Sequence, residues 1–273
     1  MTTKRAVSRT AKILLAFLLA ALVASCASTG NNGFNSDVTI YLVRHGRTML
    51  NTTDRVQGWA DAVLTQPGID GAEFLSEGLN MAGVRFAAAY SSDSGRSVQT
   101  ANIIIDKTGY SGAPLVTGWR LREFNFGTFE GMPNHDMWTE IAADLGLTLE
   151  QWLSTPISTE HFANAVARLD VGRDPDGVNW PAEDYATIQR RLVAGITDIA
   201  NEVSGQGGGN VLVVSHGLSI AALVNELDSS FPAAPGIQNS SVTIITFKDG
   251  RFEVSEYGST RFLEAGQAGL GRR

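Results

Sequence analysis

VTIYLVRHG, at residues 38–46, passes from apolar, mostly β-branched residues straight into an arginine, a histidine and a glycine. Its first six residues are almost continuously apolar, which is typical of a central strand covered on both faces of a sheet. In open α/β sheets, ligands bind beyond the carboxyl ends of such strands. The pattern therefore predicts that Arg44 and His45 lie at a ligand site.

A second string, VLVVSHG at residues 211–217, also passes from a buried strand into a histidine and a glycine. The chain has four histidines, and two of them, His45 and His216, share this setting. Because the carboxyl ends of parallel strands meet at one edge of a sheet, we expect both side chains to face one crevice. A single histidine after a strand is usually structural, whereas the matched pair favours function.

Strands and helices alternate along most of the remaining chain. Helices are predicted at about 66–82, from the candidate caps at 91–94 through Ile105, and at 182–203. Further strands are predicted at 86–90, 115–116, 242–247 and 251–257, the last two forming a hairpin with a type I′ turn at Asp249-Gly250. This order predicts an α/β fold, a three-layer α/β/α sandwich with a mainly parallel central sheet.

The stretch from about 132 to 181 interrupts the alternation. It carries helical patches such as 137–145 without a clear strand, and we interpret it as a helical cap inserted into a single domain spanning 38–273. Its aromatic residues are predicted to form the core of the cap rather than a ligand platform; they are Trp138, Trp152 and Trp180. His135 and His161 are predicted to be exposed polar residues, with substrate contact as the alternative.

The N-terminal residues have the pattern of a secretory signal. Four cations, within residues 4–12, precede the purely apolar run Ile13–Ala24. About a dozen apolar residues are too few for a bilayer-spanning helix, which needs about 20. A buried helix is also disfavoured, because no polar face interrupts the run.

This apolar run ends in LVASC, residues 22–26, which resembles the lipobox of bacterial lipoproteins. Cys26 is the single cysteine of the chain, so it has no intrachain disulfide partner, and lipidation would account for it. The sequence thus predicts a signal peptide at 1–25, a flexible tether at 26–37 and a membrane-anchored protein outside the cytoplasm. Ordinary secretion with cleavage nearby is the alternative.

Removal of the leader makes the protein strongly acidic. Without its four cations, 17 basic residues face 28 acidic ones, a formal net charge of −11. This charge excludes a general basic surface for nucleic acid. An anionic ligand would have to be attracted by a local group of cations. Arg44 is the leading candidate, because its planar fork matches phosphate oxygens and it follows a strand without a polar face; a surface ion pair is the alternative.

Six ordered segments resemble motifs of the histidine phosphatase superfamily, in the branch that contains the cofactor-dependent phosphoglycerate mutases. They are RHGRTMLN at 44–51, QGWADAVLTQPG at 57–68, SSDSGRSVQTA at 91–101, LREFNFGTFEG at 121–131, VVSHG at 213–217 and NSSV at 239–242. The resemblance extends from about Val38 to Leu263. It departs from the family at Phe129, where tryptophan is common, and at Arg47, where glutamate or glutamine is frequent.

The resemblance implies a catalytic set. His45 would be the nucleophile that forms a phosphohistidine, Glu123 the general acid and base, and Arg44, Arg96 and His216 the groups that bind the phosphoryl group. It further implies substrate contacts from Asn51 and from the Gln57-Gly58 backbone. Glu130 is the alternative to Glu123 as general acid and base, and we predict a structural role for it. No cofactor is predicted, and no metal, because the histidines lack the usual metal-ligand spacing.

Three functions fit these residues. Hydrolysis of a small phosphomonoester is favoured over a phosphoglycerate mutase, because export separates the protein from glycolytic substrates and only Lys107 and Lys248 follow the leader as lysines. The third is a lipid-anchored module that binds phosphate ligands without turnover. The extra cation at Arg47 suggests a preference for more acidic substrates, which an Arg47→Glu variant would test.

Overall fold

The computed structural model describes residues 36–155, 157–231 and 233–271. Its sheet has six strands in the order β3-β2-β4-β1-β5-β6. The strands are β1 (Val38–Arg44), β2 (Phe86–Ser92), β3 (Val116–Gly118), β4 (Gly209–Ser215), β5 (Val242–Lys248) and β6 (Arg251–Ser259). The pairs β3/β2, β2/β4 and β4/β1 are parallel, whereas β5 and β6 are antiparallel to their neighbours. The mainly parallel sheet is therefore confirmed.

Nine α-helices lie within the described residues. They are α1 (Met49–Thr52), α2 (Gln66–Met81), α3 (Gly95–Thr108), α4 (Asn134–Asp144), α5 (Leu149–Ser154), α6 (Thr159–Asp170), α7 (Tyr185–Gly205), α8 (Gly217–Leu227) and α9 (Arg261–Leu270). Each helix predicted outside the cap is present, and its ends agree to within a few residues.

The two faces of the sheet support separate hydrophobic clusters. One face packs on α2, α3 and α9, and its cluster includes Val43 of β1. The other packs on α7 and α8 and continues into the cap helices, and its cluster includes Ile40 and Leu42 of β1. A strand that contributes side chains to both clusters must be apolar almost throughout. The three-layer sandwich predicted from the sequence is thus confirmed.

The predicted type I′ turn agrees with the structure, whereas helices α1, α8 and α9 were not predicted. Asp249 and Gly250 have φ of 50° and 76°, the positive values that a type I′ turn requires. Helix α9 was not predicted, since its glycines are poor helix formers. Gly266 allows this helix to pack closely on α2, because a Cβ there would lie 1.8 Å from the Phe74 carbonyl oxygen. Close packing of two helices thus overrides weak helix propensity.

The segment from 132 to 181 forms α4, α5 and α6, and its described residues include no strand. Its boundaries as an inserted cap stay a prediction. The leader, Cys26 and the tether as far as residue 35 lie outside the described residues. Within those described, no helix combines the length and the apolar character needed to cross a bilayer.

Candidate active site

The carboxyl ends of β1 and β4 bring the two predicted histidines together. The strands pair in register as far as Arg44 and Ser215, so the residues that follow each strand are neighbours. The rings of His45 and His216 lie with centroids 5.2 Å apart. Both are buried, with 3% and 0% of their surface exposed. The crevice inferred from the sequence is therefore present.

His45 is held in one tautomer. Its Nδ1 lies 2.8 Å from the carbonyl oxygen of Gly46, which only accepts, so Nδ1 carries the proton and Nε2 keeps a lone pair. Burial lowers the pKa of His45 well below its usual 6.5, and the charges of Arg96 and Arg44 lower it further. The ring is thus neutral at physiological pH, as a nucleophile must be.

His216 is held in the opposite tautomer. Its Nδ1 accepts a hydrogen bond of 2.9 Å from Nη2 of Arg96, which leaves the ring proton on Nε2, 3.4 Å from Oγ of Ser97. Burial lowers the pKa of His216 well below 6.5, and the positive charge of Arg96 is the next cause. His216 is therefore a neutral donor rather than a second cation.

Arg96 is fully buried at the start of α3. Its two Nη atoms donate to the carbonyl oxygens of Gly58 and Ala60, at 2.7 and 3.0 Å, and to Oδ1 of Asp61 at 2.9 Å. Asp61 also accepts from the Gly95 amide and so caps α3, whereas the sequence predicts a cap from one of residues 91–94 and Ser94 makes no side-chain capping bond. The fixed guanidinium is left with one free donor, Nε.

The glycines that follow the two histidines allow close approach. Gly217 packs against Arg44, because a Cβ there would lie 3.2 Å from Nε of the guanidinium. At Gly46, a Cβ would lie 2.5 Å from the carbonyl oxygen of Gly68. The glycine of each His-Gly pair therefore leaves room for a neighbouring group, which is the Arg44 side chain at Gly217 and the Gly68 backbone at Gly46. Arg44 also donates from Nη1 to the carbonyl oxygen of Ile237.

Unpaired buried donors concentrate at this site. Within the described residues, four buried side-chain polar atoms have no partner, namely Nε of Arg44, Nε2 of Gln57, Nε of Arg96 and Oγ of Ser241. The arginine atoms belong to residues predicted to bind the phosphoryl group, whereas Gln57 was predicted to contact the substrate through its backbone and instead presents its side-chain nitrogen. An unpaired buried donor is costly unless a ligand accepts from it. Three such donors beside a neutral imidazole fit an anion with several oxygen atoms.

The remaining predicted ligand contacts differ in their freedom. Gln57 accepts from Oγ1 of Thr48 at 2.7 Å, which leaves its amide nitrogen for a ligand. The Asn51 side-chain oxygen accepts from the Thr48 amide at 3.2 Å and completes a capping box on α1. Gly58 has both backbone groups engaged, its amide with Glu130 and its carbonyl with Arg96. In this structure it positions Arg96.

Glu123 lies at the N-terminus of α8. One carboxylate oxygen accepts from the amide and hydroxyl of Ser219, both at 2.9 Å, and from the Phe124 amide at 3.1 Å. The other accepts from the Leu218 amide at 3.1 Å. A helix N-terminus favours a carboxylate, and the side chain is only 6% exposed. The carboxylate is therefore held rigidly beside the cavity.

Glu130, the rival of Glu123, is engaged with backbone. Its carboxylate accepts from the amides of residues 58, 59, 60 and 126 at 2.7 to 3.0 Å. Burial raises its pKa, and these four hydrogen bonds oppose that change. The side chain therefore clamps the loop that carries Gln57 and the carbonyl partners of Arg96, which is the structural role expected for it.

A buried ion pair that the sequence did not reveal supports Glu123 from behind. Arg191 of α7 donates to the carbonyl oxygens of Arg120, Arg122 and Glu123 at 2.7 to 3.1 Å, and it pairs with Glu183 at 2.7 Å. The three carbonyl groups lie 68 to 71 positions from Arg191 along the chain, so no local pattern links them to it. The pair fixes the backbone from which Glu123 projects.

A cavity of about 430 Å³ opens beside these groups. Arg44, Gln57 and Glu123 line one part of it, and Trp138 and Trp152 of the cap line another. These two tryptophans therefore face a cavity as well as the cap core.

The other residues singled out in and near the cap lie elsewhere. Trp180 is 73% exposed and contacts Trp59 with ring centroids 5.8 Å apart, so it is not core. His135 and His161 are exposed. Arg47 is exposed and lines a separate polar cavity, shared with Arg44 and Asn51. Among the described residues, no three His, Cys, Asp or Glu side chains are grouped to hold a metal ion.

Known proteins resemble this chain in sequence and fold. A profile of the histidine phosphatase superfamily (branch 1) matches residues 40–260. The probable phosphoglycerate mutase GpmB of Yersinia pestis is 33% identical over 188 residues, 69% of this chain and 74% of that protein. The crystal structure of a phosphoglycerate mutase from Bacillus anthracis has a TM-score of 0.78 at 37% identity and covers 87% of this chain and 100% of that one. Bacillus stearothermophilus YhfR has a TM-score of 0.63 at 27% identity, with 83% and 99% covered.

Proposed function

The chain belongs to the histidine phosphatase superfamily, whose members are phosphatases and mutases that act on small phosphorylated substrates through a phosphohistidine, and from this premise we propose that it hydrolyses phosphomonoesters. His45 is the nucleophile and Glu123 the general acid and base. The observation that carries the proposal is the set of three unpaired donors, from Arg44, Gln57 and Arg96, beside the neutral ring of His45.

The first half of the reaction transfers the phosphoryl group to the enzyme. The Nε2 lone pair of His45 attacks phosphorus, the P–O bond to the alcohol breaks, and Glu123 donates a proton to the departing oxygen. The donors of Arg44, Arg96 and Gln57 take up the charge on the three equatorial oxygens. In the second half Glu123 accepts a proton from water, whose oxygen attacks phosphorus, and the P–N bond breaks to release phosphate.

The second candidate is a phosphoglycerate mutase, which the names of the relatives favour. A mutase must retain a doubly phosphorylated intermediate while it reorients, and this requires cations beyond the first phosphate site. The charged residues among those that line the cavity are Arg44, Arg55 and Glu123. With Arg44 used for the transferred group, a single arginine is left for a second phosphate and a carboxylate, so water is the favoured acceptor.

The proposed location is outside the cytoplasm, on a lipid anchor at Cys26. It is supported by the cationic and apolar leader, the lipobox-like string and the single cysteine. The full chain, expressed in a bacterium with a radiolabelled fatty acid, should incorporate label and partition into detergent. Cys26→Ala should lose both properties. A labelled Cys26→Ala protein, or an unlabelled wild type, would contradict the anchor.

The reaction itself is tested by trapping its intermediate. The protein without its leader is mixed with a phosphomonoester, quenched in alkali during turnover, and analysed by mass spectrometry for phosphate on His45. Phosphohistidine at His45 together with phosphate release is expected, and His45→Gln should show neither. Release of phosphate without modification of His45 would overturn the covalent route, and absence of both would favour a module that only binds phosphate ligands.

A further inference from the structure

We infer that the preferred substrate is the phosphate ester of an alcohol that carries a long alkyl or aromatic group, and that this group occupies the cavity beneath the cap. The inference rests on the proposed hydrolysis. The oxygen that leaves phosphorus must face Glu123 to receive its proton. Because Glu123 and Arg44 line the cavity, the rest of the alcohol extends from that point into the cavity.

One part of the cavity lining is apolar, although Asn134, Thr155 and Thr159 of the same segment also line the cavity. We call its six apolar side chains the cap wall: Met137, Trp138, Trp152, Leu153, Ile157 and Phe162. They come from α4, α5, α6 and the residues between them. A polar alcohol would lose hydrogen bonds to water on entering this space, whereas an apolar one would gain from burial. The wall therefore selects apolar groups.

The cap wall is largely preformed. The rings of Trp152 and Phe162 lie with centroids 6.1 Å apart, and Phe162 also contacts Phe126 at 5.9 Å. Leu153 completes the wall although 62% of its surface is exposed, so it offers an apolar side chain that a ligand can cover. A volume of about 430 Å³ falls in the range that binds ligands much larger than a three-carbon acid.

A small acidic alcohol, such as glycerate, is the competing occupant. Its carboxylate would need a cation away from the transferred phosphate, and Arg55 is the one charged residue of the lining that is left for this. Arg55 is exposed and already donates to the carbonyl oxygen of Gly131 at 2.7 Å. An exposed ion pair contributes little, whereas the cap wall offers six apolar side chains.

The test uses monoalkyl phosphates, because primary alcohols of different length have leaving groups of closely similar reactivity. We measure kcat/KM for ethyl, butyl and hexyl phosphate and for 3-phosphoglycerate. It should rise by up to about fourfold for each methylene that the cap wall buries, so that hexyl phosphate exceeds both ethyl phosphate and 3-phosphoglycerate. Equal values along the series, or a preference for 3-phosphoglycerate that Arg55→Ala abolishes, would overturn the inference.

A pair of variants locates the effect. Leu153→Gln should lower the hexyl-to-ethyl ratio by several-fold, because a polar group enters the cap wall. Val171→Gln is the matched control, since Val171 is 81% exposed and is not one of the residues lining the cavity; its ratio should equal that of the wild type. An unchanged ratio in Leu153→Gln would contradict the inference. Failure of the proposed hydrolysis is distinct, because no ester in the series would then release phosphate.

Discussion

Two regions of the site are built on opposite principles. The floor, formed by Arg44, His45, Gln57, Arg96 and His216, is polar and lies at the ends of β1 and β4, at the start of α3 and in a loop clamped by Glu130. The cap wall is apolar and lies on short helices. In the floor each ring or guanidinium is held by hydrogen bonds that leave chosen atoms free. The floor is thus suited to stabilising one transition state, whereas the cap wall can accept alcohol groups of several shapes.

The difference implies that substitutions can change the rate of phosphoryl transfer and the choice of substrate separately. A floor variant should slow every substrate by a similar factor, since all share the phosphoryl group. A cap variant should change the ratio between substrates, as proposed for Leu153→Gln.

The largest effect should follow removal of the nucleophile. His45→Gln should lower kcat by on the order of 10⁴- to 10⁶-fold, for ethyl and hexyl phosphate alike, because no substrate can form the covalent intermediate. Initial rates with both esters measure this, with circular dichroism to confirm folding. Retention of wild-type activity toward one ester would break the separation between floor and cap wall.

Glu123→Gln should lower kcat by about 10²- to 10⁴-fold for alkyl phosphates, because the departing alkoxide no longer receives a proton. An aryl ester such as p-nitrophenyl phosphate has a good leaving group, so its phosphorylation step should suffer much less. Burst kinetics with that ester separate the two halves, since dephosphorylation still needs a base. Equal loss of the burst rate for alkyl and aryl esters would contradict the acid role.

The floor could be largely predicted from the sequence, and the cap wall could not. His45 and His216 each follow a continuous apolar string. Their places along the chain are therefore enough to predict that both lie at the carboxyl ends of buried strands. Glu123 was identified only through the family resemblance, because nothing in its neighbourhood distinguishes it from Glu130. The cap wall is assembled from separate apolar residues, five on three helices and Ile157 between two of them. They look like ordinary core residues until the cavity beside them is seen.

Supporting contacts between distant residues were also beyond reach. Asp61 stands in a motif that the resemblance included, yet its bonds to the start of α3 depend on the tertiary fold. Arg191 and Glu183 carry no motif, and Arg191 bonds to the 120–123 segment only in the folded protein. A single sequence reveals patterns among residues that are close along the chain. These contacts join elements that are far apart along the chain, so no such pattern predicts them.

The ion pair of Arg191 and Glu183 tests whether buried charge behind Glu123 contributes to stability. Arg191→Met should lower the free energy of unfolding by about 3 to 5 kcal/mol, because it leaves Glu183 as an uncompensated buried charge. The double variant Arg191→Met, Glu183→Gln should regain part of this loss. Urea unfolding of the three proteins measures both. Equal stability of the single and double variants would show that the buried charge is not the cause.

Burial of the two histidines predicts how stability depends on pH. Their pKa values are lowered in the folded protein, so the unfolded chain binds protons first as the pH falls below about 6.5. Their stabilising contribution is therefore complete above that pH and is lost below it. Each histidine should add up to about 1.4 kcal/mol per pH unit to the slope. His45→Gln should remove one such contribution.

Urea unfolding of wild type, His45→Gln and the surface variant His161→Gln at pH 7, 6 and 5 measures these slopes. If His45→Gln and His161→Gln flatten the curve equally, burial in the floor is not the source. This comparison distinguishes a histidine of the floor from one on the cap with the same substitution.

The smallest effect should come from Trp180, an exposed residue that belongs to neither region. Because Trp180 is 73% exposed and its ring packs on Trp59, Trp180→Ala should cost less than about 1 kcal/mol, the range of an exposed aromatic pair. It should also leave the hexyl-to-ethyl ratio unchanged, since Trp180 is not one of the residues lining the cavity. Trp138→Ala, which does alter the cap wall, is the comparison, and its ratio should fall. A lower ratio in Trp180→Ala would mean that the substrate reaches beyond the cap wall, toward Trp59 and Arg122.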